Sequence, residues 1–271
     1  MFLAAVEEIM DIDCGGSGKE LLRNLVATAV ESLVDRIYSI NQYLQVSEGQ
    51  KEELSRIYHR TWQALRETQD IENVLRRQHY PQIRDWVTRI YPPSLREDLK
   101  SASRVGQVPC QEYSADFQMA LYGINPRSIV PPVLDLGCGS HALLVRRLRH
   151  SGVEAFGVDR QLLIHEPYLT QGDWFRDADG KVRWGTIVSN MAFSNHFCFV
   201  DRYDPGQVAA YKQRFHRLLD SLVPGGTFHY GPSVPELEST VDCKLFAVQT
   251  ARVRDDFQTT RIVRVAPCRE G

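Results

Sequence analysis

One stretch constrains the fold of this chain more than any other: Val133-Leu134-Asp135-Leu136-Gly137-Cys138-Gly139-Ser140. An apolar run carries an acid, two glycines bracket one residue, and a helical pattern follows at Leu143-Leu144-Val145-Arg146-Arg147-Leu148. This predicts a buried strand, a tight turn and a helix. Glycines at such a turn let the backbone come close to a ligand and adopt torsions that a side chain forbids. A second strand, Glu154-Ala155-Phe156-Gly157-Val158, ends on Asp159. That acid lies roughly 20 residues past the glycines, where a carboxylate grips two ribose hydroxyls. The pattern predicts an open α/β sheet that takes a ribose-containing cofactor.

The turn itself narrows the choice. A nicotinamide fold wants G-x-G-x-x-G, but the chain reads Gly137-Cys138-Gly139-Ser140-His141-Ala142, with no third glycine. Asp135 before the first glycine would repel a pyrophosphate and welcome a cationic amino-acid group. These residues resemble motif I of the class I S-adenosylmethionine (SAM) methyltransferases. The resemblance continues through Gln171-Gly172-Asp173-Trp174-Phe175, through Trp184 to Asn190 as strand four, and through Leu222-Val223-Pro224-Gly225-Gly226-Thr227-Phe228 as the turn into strand five. It covers roughly residues 112 to 266 and implies a doubly wound, Rossmann-like, mostly parallel seven-stranded sheet that binds SAM without a metal. It assigns Asp159 to the ribose and Asp173 to the adenine amino group, with Trp174 against the adenine or filling the sheet edge. Asp135, Gly137 and Gly139 form the turn. Ser140 and His141 would meet the ligand carboxylate at the helix start, where backbone N–H groups favour anions. Tyr113 and Phe117 would cover the methionine moiety, although core packing accounts equally well for Phe117. His141 departs from the family, standing where many members place a third glycine.

With 271 residues the chain holds one large or two small domains. An apolar content of 43% and a charged content of 24% are those of an ordinary globular protein. A formal charge of −2 gives no electrostatic footprint for nucleic acid or an anionic membrane, so the expected partner is a small molecule. No apolar run reaches the length of a membrane span, and the start Met1-Phe2-Leu3-Ala4-Ala5-Val6-Glu7-Glu8 turns acidic too early for a secretory signal. The six cysteines form no C-x-x-C pair, which predicts a reduced, cytoplasmic protein without structural zinc. The sequence does not fix an oligomeric state.

Residues 1–110 read as an all-helical N-terminal cap domain and 111–271 as the SAM-binding domain. Apolar residues recur at helical spacing from Lys19 to Gln45, and a second long helix is predicted from about Ser47 to His79. Pro81 opens a shorter helix that Pro92-Pro93 ends, and another spans Ser94 to Lys100. Helices so short of strands must pack on each other or on the sheet domain, which predicts a cover over the cofactor site. Cys14-Gly15-Gly16-Ser17-Gly18-Lys19 is no phosphate loop, because Asp13 and Glu20 stand where glycine and Ser or Thr would be needed. Arg146, Arg147, Arg149 and His150 read as a solvated helix face placed toward the helix C-terminus. Two C-terminal strands, 245–253 and 259–265, joined at Asp255-Asp256, predict an antiparallel pair closing the sheet.

Ligands of open parallel sheets sit beyond the carboxyl ends of the strands. Strand four ends there in Ser189-Asn190-Met191-Ala192-Phe193-Ser194-Asn195-His196-Phe197. Asn190-Met191-Ala192-Phe193 resembles a degenerate Asn-Pro-Pro-Tyr/Phe motif of amine-directed members of the fold, without its prolines. The resemblance implies that the Asn190 oxygen accepts from an attacking amine while the Phe193 ring faces developing positive charge. The alternative is a turn-capping Asn190 and a core Phe193. Ser194 adds a polar group, and His196 is a candidate general base by its ordinary pKa or else a satisfied structural group. The long helical N-terminal part and the Ser189-to-Phe197 segment also resemble the bacterial azetidine-2-carboxylate synthases, which cyclise SAM and release methylthioadenosine. That resemblance favours cyclisation narrowly over methyl transfer to the amine or hydroxyl of a small molecule, with a non-catalytic SAM-binding protein as a distant third reading.

Overall fold

The computed structural model describes residues 16–68, 70–101, 112–177, 182–254 and 257–265. The chain divides into two units, Met1–Cys110 and Gln111–Gly271. Cys14 and Gly15 of the glycine-rich stretch, the junction at 110 and 111, and the Asp255-Asp256 connection lie outside the described residues.

The first unit is helical. Helix α1 (Gly16–Ile40) stops short of the predicted Gln45 because the Asn41 side chain accepts the Tyr43 N–H at 3.0 Å, a local turn that competes with further helix. Helix α2 (Glu48–Glu67) opens with a capping box in which Ser47 and Gln50 each accept the other's backbone N–H. The single helix predicted from Ser47 to His79 is broken. Thr68 is extended and its hydroxyl accepts the Asp70 N–H, while Asp70 accepts the Asn73 N–H and starts α3 (Ile71–Val74). A π-helical turn at Leu75–His79 runs into α4 (Tyr80–Ile90), and α5 (Pro93–Ser101) follows. Trp86, fully buried, ties α4 to α2 by donating its indole N–H to the Gln50 carbonyl at 2.9 Å.

The second unit is built on seven strands. In chain order it contains α6 (Ala115–Tyr122), β1 (Val133–Leu136), α7 (Leu143–His150), β2 (Ala155–Asp159), β3 (Leu169–Gln171), α8 (Trp174–Asp177), β4 (Trp184–Asn190) and α9 (Phe193–Tyr203). Then come α10 (Val208–Asp220), β5 (Leu222–Gly231), α11 (Pro235–Glu238), β6 (Phe246–Arg254) and β7 (Phe257–Arg264). The sheet order is β3-β2-β1-β4-β5-β7-β6, with β7 antiparallel to β5 and β6 and the rest parallel. This is the doubly wound, mostly parallel class I methyltransferase fold. The order reverses direction between β1 and β4, which places the switch point at the carboxyl end of β1.

The pleat assigns each strand residue to a face. Leu134, Leu136, Ile187, Phe228 and Tyr230 pack in one apolar layer with α9 and α10 residues such as Phe193 and Phe215. Val133 and Val188 pack in the other, with Tyr122, Leu144 and Leu148 of α6 and α7. Alternation then directs Asp135, Asn190 and His229 to the α6 and α7 side. Register aligns Asp135 with Val188 and Val188 with His229. Among the described residues no helix is long and apolar enough to cross a membrane.

Candidate functional site

The turn after β1 is held open by glycines for two separate reasons. Gly137 has φ +72 and Gly139 has φ +80, a region that excludes most side chains. A Cβ on Gly137 would also meet the Ala192 Cβ, and one on Gly139 would lie 3.0 Å from Glu112 Oε1. The turn is therefore pressed between the chain leaving β4 and Glu112, the residue that precedes Tyr113 and α6.

Three carboxylates gather around it. Asp135 is 1% exposed, and neither of its oxygens has a hydrogen-bond partner among the described residues. Burial, followed by the charge of Asp159, pushes its pKa up to about 8. Asp159, at the end of β2, accepts the Gly139 N–H at 3.0 Å and the Gln161 N–H at 2.8 Å. Burial raises its pKa, and those two hydrogen bonds together with Arg160 pull it back. Glu112, absent from the sequence-based site, is the third. Its Oε1 accepts the His141 backbone N–H at 2.8 Å, and its Oε2 accepts from His141 Nδ1 at 2.6 Å and from the Ser140 hydroxyl at 3.3 Å. Ser140 and His141, expected to meet the carboxylate of a ligand, therefore hold a carboxylate of the chain itself.

At the rim of β4 the Asn190 side chain is half-buried, and its Oδ1 accepts from the Tyr122 hydroxyl at 3.0 Å. Tyr122 is not among the sequence-based candidates. Burial, with Asp135 and Tyr113 adding to it, raises its pKa, so the phenol keeps its proton and donates. Its ring lies edge-on to His229 at 6.3 Å, and His229 Nε2 is 3.0 Å from the Thr227 hydroxyl. Burial, then Arg261, lowers the pKa of His229 to about 4. Below Asn190 the sheet thus presents polar groups that are neutral near pH 7.

Several sequence-based candidates are not at this rim. The segment after β4, expected as a turn, is helix α9 from Phe193 onward. Phe193 is 0% exposed and packs against Phe215 and Phe228, each with ring centroids 5.9 Å away. Its ring is part of the core. Ser194 is fully buried and donates to the Gly231 carbonyl at 2.7 Å, fastening α9 to the end of β5. His196 is buried with its ring edge-on to Trp174 at 5.3 Å, and burial, then Arg160, holds its pKa well below the ordinary value. Burial removes the near-neutral titration on which its candidacy as a base rested. Trp174, 3% exposed, packs among Phe193, His196 and Tyr211 rather than presenting an open face. Asp173 is half-buried and accepts the Phe175 N–H at 3.0 Å. Tyr113 stacks on the exposed Phe117 with centroids 5.3 Å apart, so Phe117 is not core. On α7, Arg149 lies 4.0 Å over the Tyr168 ring and Arg147 reaches Asp116 at 3.7 Å.

The arrangement suits a positively charged group. A buried carboxylate without hydrogen-bond partners among the described residues gains from a nearby positive charge, and Asp159 is joined to the turn through the Gly139 N–H. No protein-family model matches the chain, and no curated protein does. Among solved structures, the chain is similar to an RNA methyltransferase from Salinibacter ruber in complex with S-adenosylhomocysteine, at 15% identity over 60% of this chain and 98% of that one, with a TM-score of 0.35. It is similar to the 1,6-didemethyltoxoflavin-N1-methyltransferase of Burkholderia thailandensis at 16% identity, over 56% of this chain and 76% of that one, with a TM-score of 0.36. It is also similar to the N-methyltransferase NodS of Bradyrhizobium japonicum WM9 at 10% identity, over 56% of this chain and 94% of that one, with a TM-score of 0.39. The likeness is one of fold.

Proposed function

We propose that the second unit binds SAM at the carboxyl end of β1 and that an amine there attacks a carbon activated by the sulfonium. The observation that carries the reading is Asp135, a buried carboxylate without hydrogen-bond partners among the described residues, beneath a glycine turn at the switch point of the sheet. Asp159 would hold the ribose and Asp173 the adenine amino group. Gly137 and Gly139 would let the backbone approach, and the bound sulfonium would supply the leaving group.

The chain's own residues would orient. Tyr122 holds the Asn190 amide by its oxygen, and a carbonyl oxygen has a second lone pair for an amine N–H. Asn190 would thus aim the amine without taking its proton. The amine we propose is that of SAM itself, a choice supported by the resemblance to azetidine-2-carboxylate synthases. Its nitrogen lone pair forms the bond to the carbon next to sulfur. That carbon–sulfur bond breaks with its pair going to sulfur, which leaves methylthioadenosine and azetidine-2-carboxylate. The proton lost by the α-ammonium before attack passes to solvent.

The test is incubation of the full chain with SAM alone, with products resolved chromatographically. Methylthioadenosine with azetidine-2-carboxylate in equal amounts is the expected result. S-adenosylhomocysteine formed only when a small amine is added would replace cyclisation by methyl transfer. No turnover in either case, with SAM bound, would make the chain a binding protein.

A further inference from the structure

We infer that Glu112 determines which end of the amino-acid portion of the ligand the site reads: it receives the ammonium and excludes the carboxylate. The inference rests on the SAM reading above and adds a residue to it: the α-nitrogen docks against Glu112 as the ammonium, before it loses its proton and is aimed by Asn190. The loop Gly139-Ser140-His141 at the start of α7 is where an anionic group would ordinarily be held. Its donors are already committed. The His141 backbone N–H, His141 Nδ1 and the Ser140 hydroxyl all meet the Glu112 carboxylate, at 2.8, 2.6 and 3.3 Å. An α-carboxylate of a ligand would have to displace these bonds and then lie against Glu112, Asp135 and Asp159.

An ammonium meets the opposite situation. A carboxylate offers about four acceptor positions, and three of those on Glu112 are used. The Glu112 side chain is 20% exposed, so its charge is partly removed from water yet reachable. Glu112 also acts electrostatically on both Asp159 and Cys138, which places its charge within the field of the turn. The side chain of Arg160 is the cation that lowers the pKa of Asp159. A ligand with two positive centres, a sulfonium and an ammonium, matches this set of acids, and one with a single positive centre matches it less well.

The experiment compares wild type with Glu112→Gln and Glu112→Asp by calorimetry, using S-adenosylhomocysteine, its deaminated analogue and methylthioadenosine. Wild type should bind S-adenosylhomocysteine more tightly than the deaminated analogue. Glu112→Gln should weaken S-adenosylhomocysteine about tenfold or more, as expected for losing a charged hydrogen-bond partner, with the other two probes within about twofold. Glu112→Asp should keep part of the preference for the ammonium. Equal weakening of all three probes would assign Glu112 a purely structural role and overturn the inference. Tighter S-adenosylhomocysteine binding by Glu112→Gln would overturn it too, by making Glu112 a competitor of the ligand carboxylate. Failure of wild type to bind any of the three probes would instead refute the SAM reading itself.

Discussion

Asp135 gives the sharpest test of the electrostatics, because its burial should leave a signature in stability without any ligand. Its pKa in the folded chain is about 8, against an ordinary value of 3.8. Below about pH 4 the folded and unfolded chains both hold the proton, and Asp135 adds no pH dependence. Above that the unfolded chain ionises freely, while the folded chain must keep the proton or bury a charge. The folded chain then binds more protons, so stability falls as pH rises, until the folded group also ionises near pH 8. From pH 5 to pH 8, at about 1.36 kcal/mol per unit, three units amount to about 4 kcal/mol. The Asp135→Asn variant has the same shape and no proton to hold, so it should lack this component. The assay is urea unfolding of both proteins at pH 5, 6, 7 and 8. The variant should gain steadily on wild type across the series, the difference in unfolding free energy widening with each unit of pH. Every titrating group that does not interact with Asp135 is common to both proteins and cancels. Parallel curves for the two proteins would refute the claim that Asp135 is buried without partners.

The same reasoning predicts that a cationic nucleoside draws the proton off Asp135, so binding near pH 7 should release protons, seen as a heat that varies with the ionisation enthalpy of the buffer. Phe193→Ala should behave as a core truncation, lowering stability by about 3–5 kcal/mol in denaturant unfolding, and a stable variant with selectively lost turnover would contradict its placement. Tyr122→Phe removes one hydrogen bond and should cost only about 0.5–1.5 kcal/mol of stability. Because it frees the Asn190 amide to rotate, turnover should fall with SAM affinity nearly unchanged, as it should for Asn190→Ala. Full turnover in both variants would remove this pair from the mechanism.

The parts of the site that are legible in the sequence are those fixed by short-range patterns. The glycine turn, Asp135 and Asp159 follow from a strand-turn-strand spacing that the chain cannot satisfy in many ways. Glu112 and Tyr122 have no such signature. Glu112 meets the loop 29 residues later, and Tyr122 meets Asn190 across 68 residues, through packing that only the assembled sheet creates. The break at Thr68 and Asp70 is visible in principle, since both are turn and cap formers, but the apolar periodicity continuing to Leu75 masks it. The candidacy of His196 follows from the ordinary pKa of a histidine, and burial is what changes that.

The separation of Asn190 from Phe193 follows from the pleat and one strained residue. Asn190 shares its face of β4 with Val188, toward Tyr122, whereas Ser189 lies on the opposite face with Ile187. Met191 then takes φ 59, a left-handed conformation that is costly for a side chain and bends the chain sharply as it leaves the sheet. The Ser189 hydroxyl accepts the Phe193 N–H at 2.9 Å and so anchors the first turn of α9 on its own face. Phe193 is thereby delivered to the aromatic layer, although it stands only three positions from Asn190. The two prolines of the amine-directed motif, missing here, are what would otherwise fix that turn. An aromatic neighbour for a cationic centre at the Asn190 rim would therefore be a residue other than Phe193; the ring hydrogen-bonded to Asn190 is that of Tyr122.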